Sequence, residues 1–286
     1  MSKLAVIATA RGPIEAADVW EGPPALVLHG GMGGQDQGLI LARAPGLSDM
    51  RVIAVSRPGY LGTPLASARS PEAQADLYAA LLDSLGIGKV LVVAVSAGGV
   101  SALQFAARHR ARTRGVVLVS AATGTLAAPA DYTRRMPMLK VLARVPLFGA
   151  VQAWRRKRDP ERAARRSISD AMLRARTLAH PVAGPLLGSF QTVMFRRLAE
   201  RLPGTADDIE TLASLPSLPL VVPDVPVLAV HGTADVIASF AQAQALAAAS
   251  PSVQIAAIEG GEHLVLFTHL DHVRKTLGRF VASLPR

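Results

Sequence analysis

The chain has 286 residues, of which 50% are hydrophobic and 18% are charged. This composition excludes an intrinsically disordered chain and allows one large domain, or a domain with an inserted subdomain, around a substantial core. The sequence contains no cysteine. Disulfide bonds, a thiolate nucleophile and cysteine-ligated metal or iron–sulfur sites are therefore excluded.

The formal net charge of +10 is concentrated in one part of the chain. Residues 131–201 contain 16 Lys and Arg residues against 5 Asp and Glu residues, whereas the rest of the chain is close to neutral. This asymmetry indicates a separate structural unit.

Two apolar stretches resemble targeting or membrane segments. Residues 1–10 imitate a signal peptide, but the apolar part is short and a first β-strand explains it better, so we expect a cytoplasmic protein. Residues 90–107 contain no charge and approach the length of a membrane span. Polar residues and glycines interrupt this run, which favours a buried strand, a tight turn and a buried helix. No transmembrane segment is expected.

Short β-branched runs alternate with helical stretches along the chain. They are apolar on both faces, as expected for strands of a largely parallel sheet that helices cover on each side. The clearest six runs are residues 25–28, 52–55, 90–95, 116–119, 225–230 and 253–258. Residues 4–10 and about 17–20 are candidates for one or two further strands. The alternation predicts a three-layer α/β sandwich.

The helices have recognisable boundaries. Ser70-Pro71-Glu72 predicts an N-cap followed by proline at the first helical position, and Gly86 predicts the end of that helix. Between residues 126 and 220 the strand pattern disappears, and prolines separate several predicted helices. We therefore expect a core made of residues 1–125 and 221–286, with a helical cap at 126–220. Within the cap, Asp159-Pro160-Glu161 predicts a helix start, followed by an apolar stripe formed by Ile168, Met172, Leu173 and Leu178.

Ser96 lies in the segment Ala94-Val95-Ser96-Ala97-Gly98-Gly99, between an apolar strand and a helical stretch. Small residues on both sides of a serine at a strand-to-helix turn are typical of a nucleophile elbow, whose usual pattern is G-x-S-x-G. Ala94 replaces the first glycine. The alternative is a glycine-rich loop that binds phosphate at a helix N-terminus, although no Walker lysine or G-x-G-x-x-G spacing accompanies it.

A glycine-rich segment, residues 29–34, follows the strand at 25–28. It begins with His29-Gly30-Gly31 and can turn a backbone N–H into a site. In an acyl-transfer enzyme the N–H groups of Gly31 and Ala97 would stabilise an oxyanion, with Met32 as second choice for Gly31. A flexible turn is the alternative.

An acid and a histidine follow the last two predicted strands. Asp235 comes after the strand at 225–230, and His263 follows the strand at 253–258. Both would lie at the carboxyl edge of the sheet, where α/β folds place their chemistry. Asp224 lies at the wrong end of its strand, whereas His269 and His272 fall in the next helical stretch and are expected to face solvent. The order Ser96, Asp235, His263 predicts a nucleophile, an orienting acid and a general base.

With these four motifs the sequence resembles the α/β-hydrolase superfamily along nearly its whole length. The segment from Ser56 to Pro64 resembles the corresponding loop of capped members. The resemblance implies an eight-stranded, mostly parallel sheet with a helical cap after the sixth strand. It also implies that no metal and no diffusible cofactor is required.

Three groups within the superfamily match less well. Epoxide hydrolases and haloalkane dehalogenases place Asp where this chain has Ser96. Prolyl aminopeptidases usually have Trp at the position of Ala97, and carbon–carbon bond hydrolases of aromatic degradation usually have Trp at the position of Leu264. The first group is disfavoured, while an aminopeptidase or a carbon–carbon bond hydrolase stays an alternative.

The sequence therefore predicts a serine hydrolase that forms an acyl-enzyme, most simply a carboxylic ester hydrolase for a small to medium apolar substrate. Met32, Trp154, Phe190 and Met194 are candidate substrate contacts, although most apolar residues of a cap simply attach it to the core. A non-catalytic ligand-binding protein with the same fold is the rival hypothesis.

The basic run Trp154-Arg155-Arg156-Lys157-Arg158 allows several interpretations. It fits a solvated helix face, a surface that attracts anionic substrates, or contacts with nucleic acid or lipid. We favour the solvated face and expect a small-molecule substrate and no nucleic acid. Whether the protein forms a homodimer stays open.

Overall fold

The computed structural model describes residues 3–127, 130–215 and 221–285. Its centre is an eight-stranded sheet with the strand order β1-β2-β4-β3-β5-β6-β7-β8. The strands are β1 Lys3–Thr9, β2 Gly12–Val19, β3 Pro24–Leu28, β4 Arg51–Val55, β5 Val90–Val95, β6 Thr113–Val119, β7 Val227–Gly232 and β8 Val253–Ile258. The pairs β1–β2 and β2–β4 are antiparallel, and the other pairs are parallel.

Helices cover both faces of this sheet. They are α1 Gln35–Arg43, α2 Pro71–Ser84, α3 Gly99–Arg108, α10 Phe240–Ala249, α11 Val265–Thr268 and α12 Leu270–Ser283. Apolar side chains of α1 and α12 belong to one core cluster, and those of α2, α3 and α10 belong to the other. The predicted three-layer sandwich with a mostly parallel sheet is confirmed.

Strand β5 illustrates why the sheet is buried on both faces. Its successive side chains point to opposite sides of the sheet. Leu91 and Val93 belong to the same core cluster as α1, whereas Val92 and Ala94 belong to the cluster that contains α2. The uninterrupted apolar sequence of this strand therefore supplies both halves of the core.

A helical segment separates β6 from β7 in the chain. Its helices are α4 Ala130–Leu142, α5 Phe148–Arg158, α6 Pro160–Ala164, α7 Ala171–Ala179, α8 Ala183–Val193 and α9 Leu198–Ser214. Residues 128–129 and 216–220 of the predicted cap, together with residues 1–2 and 286 of the predicted core, lie outside the described residues.

The helix predicted to start at Asp159 is shorter than expected. Asp159 caps α6, but α6 ends at Ala164, and the Asp170 carboxylate caps a new helix by accepting from the Leu173 N–H. The predicted apolar stripe is also wrong at Met172, whose side chain is 84% exposed. The apolar spacing predicted one continuous helix, whereas Asp170 acts as a second N-cap and starts a separate helix.

Several strand limits differ from the prediction by a few residues. Strand β7 begins two residues later than expected and extends to Gly232, while β6 begins at Thr113. The N-terminal residues form β1 and β2, which pair as a hairpin. The uncharged run at 90–107 forms β5, a single 3₁₀ turn and most of α3. No helix in the described ranges is long and apolar enough to span a membrane.

Candidate active site

Ser96 lies on a sharp turn between β5 and α3. Its backbone has φ of 52°, in the left-handed region that non-glycine residues rarely adopt. A Cβ at Gly30 would lie 3.0 Å from the Ser96 Cβ, and a Cβ at Gly98 would lie 2.8 Å from the His29 carbonyl oxygen. Glycine at both positions lets the neighbouring loop approach the serine. Ala94, which replaces the usual glycine, is fully buried in β5.

The Ser96, His263 and Asp235 side chains form a hydrogen-bonded chain. His263 Nε2 lies 3.1 Å from Ser96 Oγ, and His263 Nδ1 lies 2.8 Å from Asp235 Oδ2. Because an ionised carboxylate only accepts, Nδ1 carries the proton and Nε2 is left to accept from the serine hydroxyl. The three residues follow the ends of β5, β7 and β8. In the sheet these strands lie in the order β5-β6-β7-β8, so that only β6 separates β5 from the other two.

The Asp235 carboxylate is buried and held by several donors. Its Oδ1 accepts from the N–H groups of Ile237 and Ala238, at 2.9 and 3.0 Å. Burial alone raises the pKa of a carboxyl, but hydrogen bonds from His231 and His263 outweigh it and lower the pKa of Asp235 well below its ordinary value. The group is therefore ionised at neutral pH.

His231 is a residue of this site that the sequence reasoning missed. It is buried in β7, and its Nε2 lies 2.7 Å from the Ala238 carbonyl oxygen and 3.4 Å from Asp235 Oδ2. A carbonyl oxygen only accepts, so Nε2 carries a proton that also faces the carboxylate. The sequence places His231 four residues before Asp235. That spacing alone does not indicate that the two side chains are in contact.

The glycine-rich loop lies beside Ser96, and its amides differ in their partners. The Met32 N–H donates to the Thr205 hydroxyl of α9 at 3.2 Å. For the Gly31 N–H, no acceptor is found within the described ranges. A Cβ at Gly31 would meet no atom within 4 Å. The amide of Gly31 is therefore free to bind a ligand, whereas that of Met32 is engaged.

A buried polar network lies behind the glycine-rich loop. The Arg57 N–H donates to His29 Nε2 at 2.9 Å, which leaves His29 Nδ1 to donate to the Gly30 carbonyl oxygen at 2.7 Å. Burial first, and then the nearby Arg57 charge, lower the pKa of His29 well below its usual range. His29 is therefore a neutral structural residue.

The same network joins the core to α9. The Arg57 guanidinium forms a two-point contact with the Asp208 carboxylate, at 2.9 and 2.5 Å, and its Nε donates to the His29 carbonyl oxygen. The Tyr60 hydroxyl donates to the same carboxylate. Arg201 of α9 is fully buried and donates to the Gly33 carbonyl oxygen and to Asp36. The loop beside Ser96 is thus held by α9.

The four candidate substrate contacts lie in three different environments. Met32 and Met194 belong to one apolar cluster with residues of α4 and α9. Phe190 is half-buried and packs on Phe267, with ring centroids 5.2 Å apart. Trp154 is 57% exposed and lines a separate surface cavity. The structure therefore brings Met32 and Met194 together and leaves Trp154 apart from them.

The other titratable residues that the sequence offered do not join the hydrogen-bonded chain. His269 is half-buried and contacts Thr268, and His272 is exposed. Asp224 forms an exposed ion pair with Arg110. In the portion of the chain that the structure describes, no group of three or more His, Asp or Glu side chains is arranged to hold a metal ion.

The fold agrees with comparisons to known proteins. The sequence profile described as "Alpha/beta hydrolase family" matches residues 25–275. The chain belongs to the alpha/beta hydrolase family. An alpha/beta hydrolase fold protein from Nakamurella multipartita is 30% identical and superposes with a TM-score of 0.78, over 97% of this chain and 98% of that one.

Solved structures with lower sequence identity also share the fold of this chain. An esterase from Exiguobacterium antarcticum is 19% identical, with a TM-score of 0.69 over 98% of this chain and 100% of that one. An enol-lactonase from Burkholderia xenovorans LB400 is also 19% identical, with a TM-score of 0.70 over the same shares. The uncharacterized hydrolase YcgS of Bacillus subtilis (strain 168) is 33% identical over 138 residues, 48% of this chain. The match spans about half the length of that curated relative, 47%.

Proposed function

We propose that the protein is a serine hydrolase that cleaves carboxylic esters through an acyl-enzyme, with Ser96 as nucleophile, His263 as general base and Asp235 as the orienting acid. The observation that supports this most directly is the hydrogen-bonded chain from the Asp235 carboxylate through His263 to Ser96 Oγ. Its tautomer leaves His263 Nε2 ready to accept the serine proton.

In the proposed reaction His263 Nε2 takes the Ser96 proton while Oγ attacks the ester carbonyl carbon. The tetrahedral intermediate collapses as the C–O bond to the alcohol breaks, and His263 returns the proton to the departing oxygen. Water then loses a proton to His263 and attacks the acyl carbon. The carboxylic acid leaves, and Ser96 recovers its proton.

The carbonyl oxygen would accept hydrogen bonds from the N–H groups of Gly31 and Ala97. Gly31 is preferred over Met32 because the Met32 N–H already donates to Thr205. Ala97 is the second residue of the 3₁₀ turn Ser96–Gly98, where the first N–H groups have no partner within the turn. Two fixed amides aimed at one oxygen stabilise the negative charge that develops in the transition state.

We further propose that residues 126–220 act as a cap over this site and that its apolar side chains contact the acyl or alkyl group. Met194 packs with Met32, next to the proposed oxyanion amide. The Ser169 N–H donates to the Glu262 carboxylate at 2.9 Å, so the segment between α6 and α7 also touches the His263 loop. A small to medium apolar ester suits such walls.

The choice of ester over other bonds rests on the residues around the triad. The esterase from Exiguobacterium antarcticum shares the fold, and at 19% identity the likeness extends to the fold alone. Ala97 and Leu264 depart from the tryptophans of the aminopeptidase and carbon–carbon hydrolase patterns. Nothing in the geometry favours either of these over an ester.

The decisive experiment combines fluorophosphonate labelling with turnover of p-nitrophenyl esters of increasing acyl length. We expect the wild type to be labelled and the Ser96→Ala variant to be unlabelled, with kcat/KM lower by about 10⁴-fold or more, since triad members act as a unit. Ser101→Ala is the matched control because Ser101 lies on the same turn-and-helix unit, and its hydroxyl contacts the Gly98 carbonyl oxygen and Tyr78 rather than His263. Absence of labelling in the wild type, or equal turnover by Ser96→Ala, would reject the proposal.

A further inference from the structure

A surface cavity of about 670 Å³ lies on α5, α6 and the turn that follows α6, and it includes no residue of the proposed catalytic site. Its volume is within the range of pockets that bind small molecules. The side chains that line it include five arginines: Arg155, Arg156, Arg158, Arg162 and Arg166.

Among the described residues, no ion pair offsets the positive charge of this arginine cavity. Asp159 is the one acidic residue among the described residues that line it. Its carboxylate accepts the backbone N–H of Arg162 and so acts as the N-cap of α6. Among the described residues, none of the five guanidinium groups forms an ion pair with Asp or Glu. Nearby arginines behave differently, since Arg174 contacts Glu161 and Arg197 contacts Glu200.

Arg156 is the fixed member of the cluster. Its guanidinium lies 3.5 Å from the centroid of the Phe195 ring and donates to the Gln152 carbonyl oxygen at 3.0 Å. Burial, and then the charge of Arg166, lower the pKa of Arg156 to about 10. The group therefore stays charged at neutral pH in a half-buried position, where no Asp or Glu in the described ranges pairs with it.

Trp154 adds an aromatic surface to the cavity. Its side chain is 57% exposed, and the Arg158 guanidinium lies 5.4 Å from its ring centroid. The exposed ring therefore offers a flat apolar face beside positive charge, and tryptophan is enriched where proteins bind partners.

We propose that the arginine cavity binds a small organic phosphate that carries at least two phosphoryl groups and a planar ring. Guanidinium groups form two-point hydrogen bonds with phosphate oxygens, and several of them at one place match a polyphosphate better than a single carboxylate. Trp154 supplies the face on which the ring stacks. The concave shape and limited volume favour a small molecule over a membrane, whose flat surface cannot enter a cavity.

The test uses the full chain and isothermal titration calorimetry with ADP, inorganic pyrophosphate and adenosine at about 0.15 M salt, where exposed charges are largely screened. We expect ADP to bind more tightly than pyrophosphate and adenosine not to bind. The Arg166→Gln variant should weaken ADP binding about tenfold, the loss expected when one charge-assisted contact is removed. Arg156→Met should weaken it at least as much, and the methionine side chain can take the place of the guanidinium against the Phe195 ring.

Lys157→Gln is the matched control, since it removes a positive charge from the same helix at an exposed position outside the cavity lining. Its ADP affinity should stay within about twofold of wild type, because an exposed charge outside the cavity makes no direct contact and is screened by salt. Equal weakening by Lys157→Gln and Arg166→Gln would show a diffuse charge effect and overturn the proposal. Binding of the protein to phosphatidylcholine vesicles that contain phosphatidylglycerol, without ADP binding, would also overturn it.

The proposal is independent of the serine hydrolase chemistry. Ser96→Ala should bind ADP as the wild type does, since the cavity contains no residue of the hydrogen-bonded chain. Loss of esterase activity with intact ADP binding, or the reverse, would therefore separate the two proposals.

Discussion

Helix α9 and the arginine cavity both belong to the helical segment between β6 and β7, called the inserted segment below, but their charged side chains have different partners. On α9, Arg201, Asp207 and Asp208 each pair with a residue of the core. On α5 and α6, the cavity arginines have no acidic partner within the described ranges. The first arrangement fixes the backbone beside Ser96, and the second leaves charge available to a ligand. One inserted segment thus contains a structural part and a surface part.

The largest effect is expected where α9 is joined to the core by a buried ion pair. Asp208→Ala would leave the Arg57 guanidinium, which is 2% exposed, without its partner. An uncompensated buried charge typically costs about 3–5 kcal/mol. Urea unfolding of the variant and wild type measures this difference.

The matched control is Asp224→Ala, which breaks the ion pair with Arg110 at the surface. Exposed pairs contribute little because water screens them, so this variant should unfold at the same urea concentration as wild type. Equal destabilisation by the two variants would contradict the distinction between paired charges of α9 and ordinary surface pairs.

The next effect concerns how closely α9 approaches the core. The Gly204 N–H donates to the Gly59 carbonyl oxygen at 2.8 Å, and a Cβ at Gly204 would lie 2.3 Å from the buried Tyr60 ring. Gly204→Ala should therefore destabilise the protein by about 1–3 kcal/mol through overpacking. Thermal or urea unfolding measures it.

Gly188→Ala is the control for that substitution, because a Cβ at Gly188 in α8 would meet no atom within 4 Å. Replacing a glycine inside a helix by alanine should stabilise the protein by up to about 1 kcal/mol. If both variants were stabilised, the close contact between α9 and Tyr60 would not exist in solution.

The contacts of α9 also mark the limit of what the sequence could predict. The strands were predictable because each is a short apolar run, and the start of α2 because Ser70 accepts from the Ala73 N–H as an N-cap should. Arg57 and Asp208 are 151 residues apart. No local pattern identifies such a pair, since either residue alone reads as an ordinary surface charge.

The candidate site was predictable to the extent that strand ends determine it. Ser96, Asp235 and His263 each follow an apolar run, and parallel pairing brings the ends of those runs to one edge. His231 was not predictable, because it is the penultimate residue of its strand and the predicted strand ended one residue before it. The preference for Gly31 over Met32 likewise depends on Thr205, a residue of the inserted segment.

A third prediction concerns pH and the buried His29. Its pKa is depressed in the folded protein, by burial first and then by the Arg57 charge. Below about pH 6.5, the ordinary pKa of histidine, the unfolded chain therefore binds more protons than the folded protein. The contribution of neutral His29 to stability is present above that pH and is lost as the pH falls below it. For one proton the slope is at most about 1.4 kcal/mol per pH unit.

The measurement is the free energy of unfolding between about pH 7.5 and 5.5, compared between wild type and His29→Gln, a range that spans the ordinary histidine pKa. The glutamine amide oxygen can accept from the Arg57 N–H as Nε2 does, and it does not titrate. The variant should show a shallower fall at acid pH. Identical slopes for the variant and wild type would mean that burial and the Arg57 charge do not hold His29 neutral.

The smallest effect is expected in the arginine cavity, and its sign separates this region from α9. Arg166→Gln removes a charge that has no acidic partner in the described part of the chain and that lowers the pKa of Arg156. Relief of like-charge repulsion should leave stability unchanged or raise it, by about 0.5 kcal/mol or less. Urea unfolding at low salt measures the gain, which added salt should diminish because repulsion in the wild type is screened.

Destabilisation by Arg166→Gln would show that the arginines hold the segment together. Stabilisation together with the loss of ADP binding would instead mean that the charge is kept for a ligand at some expense in stability.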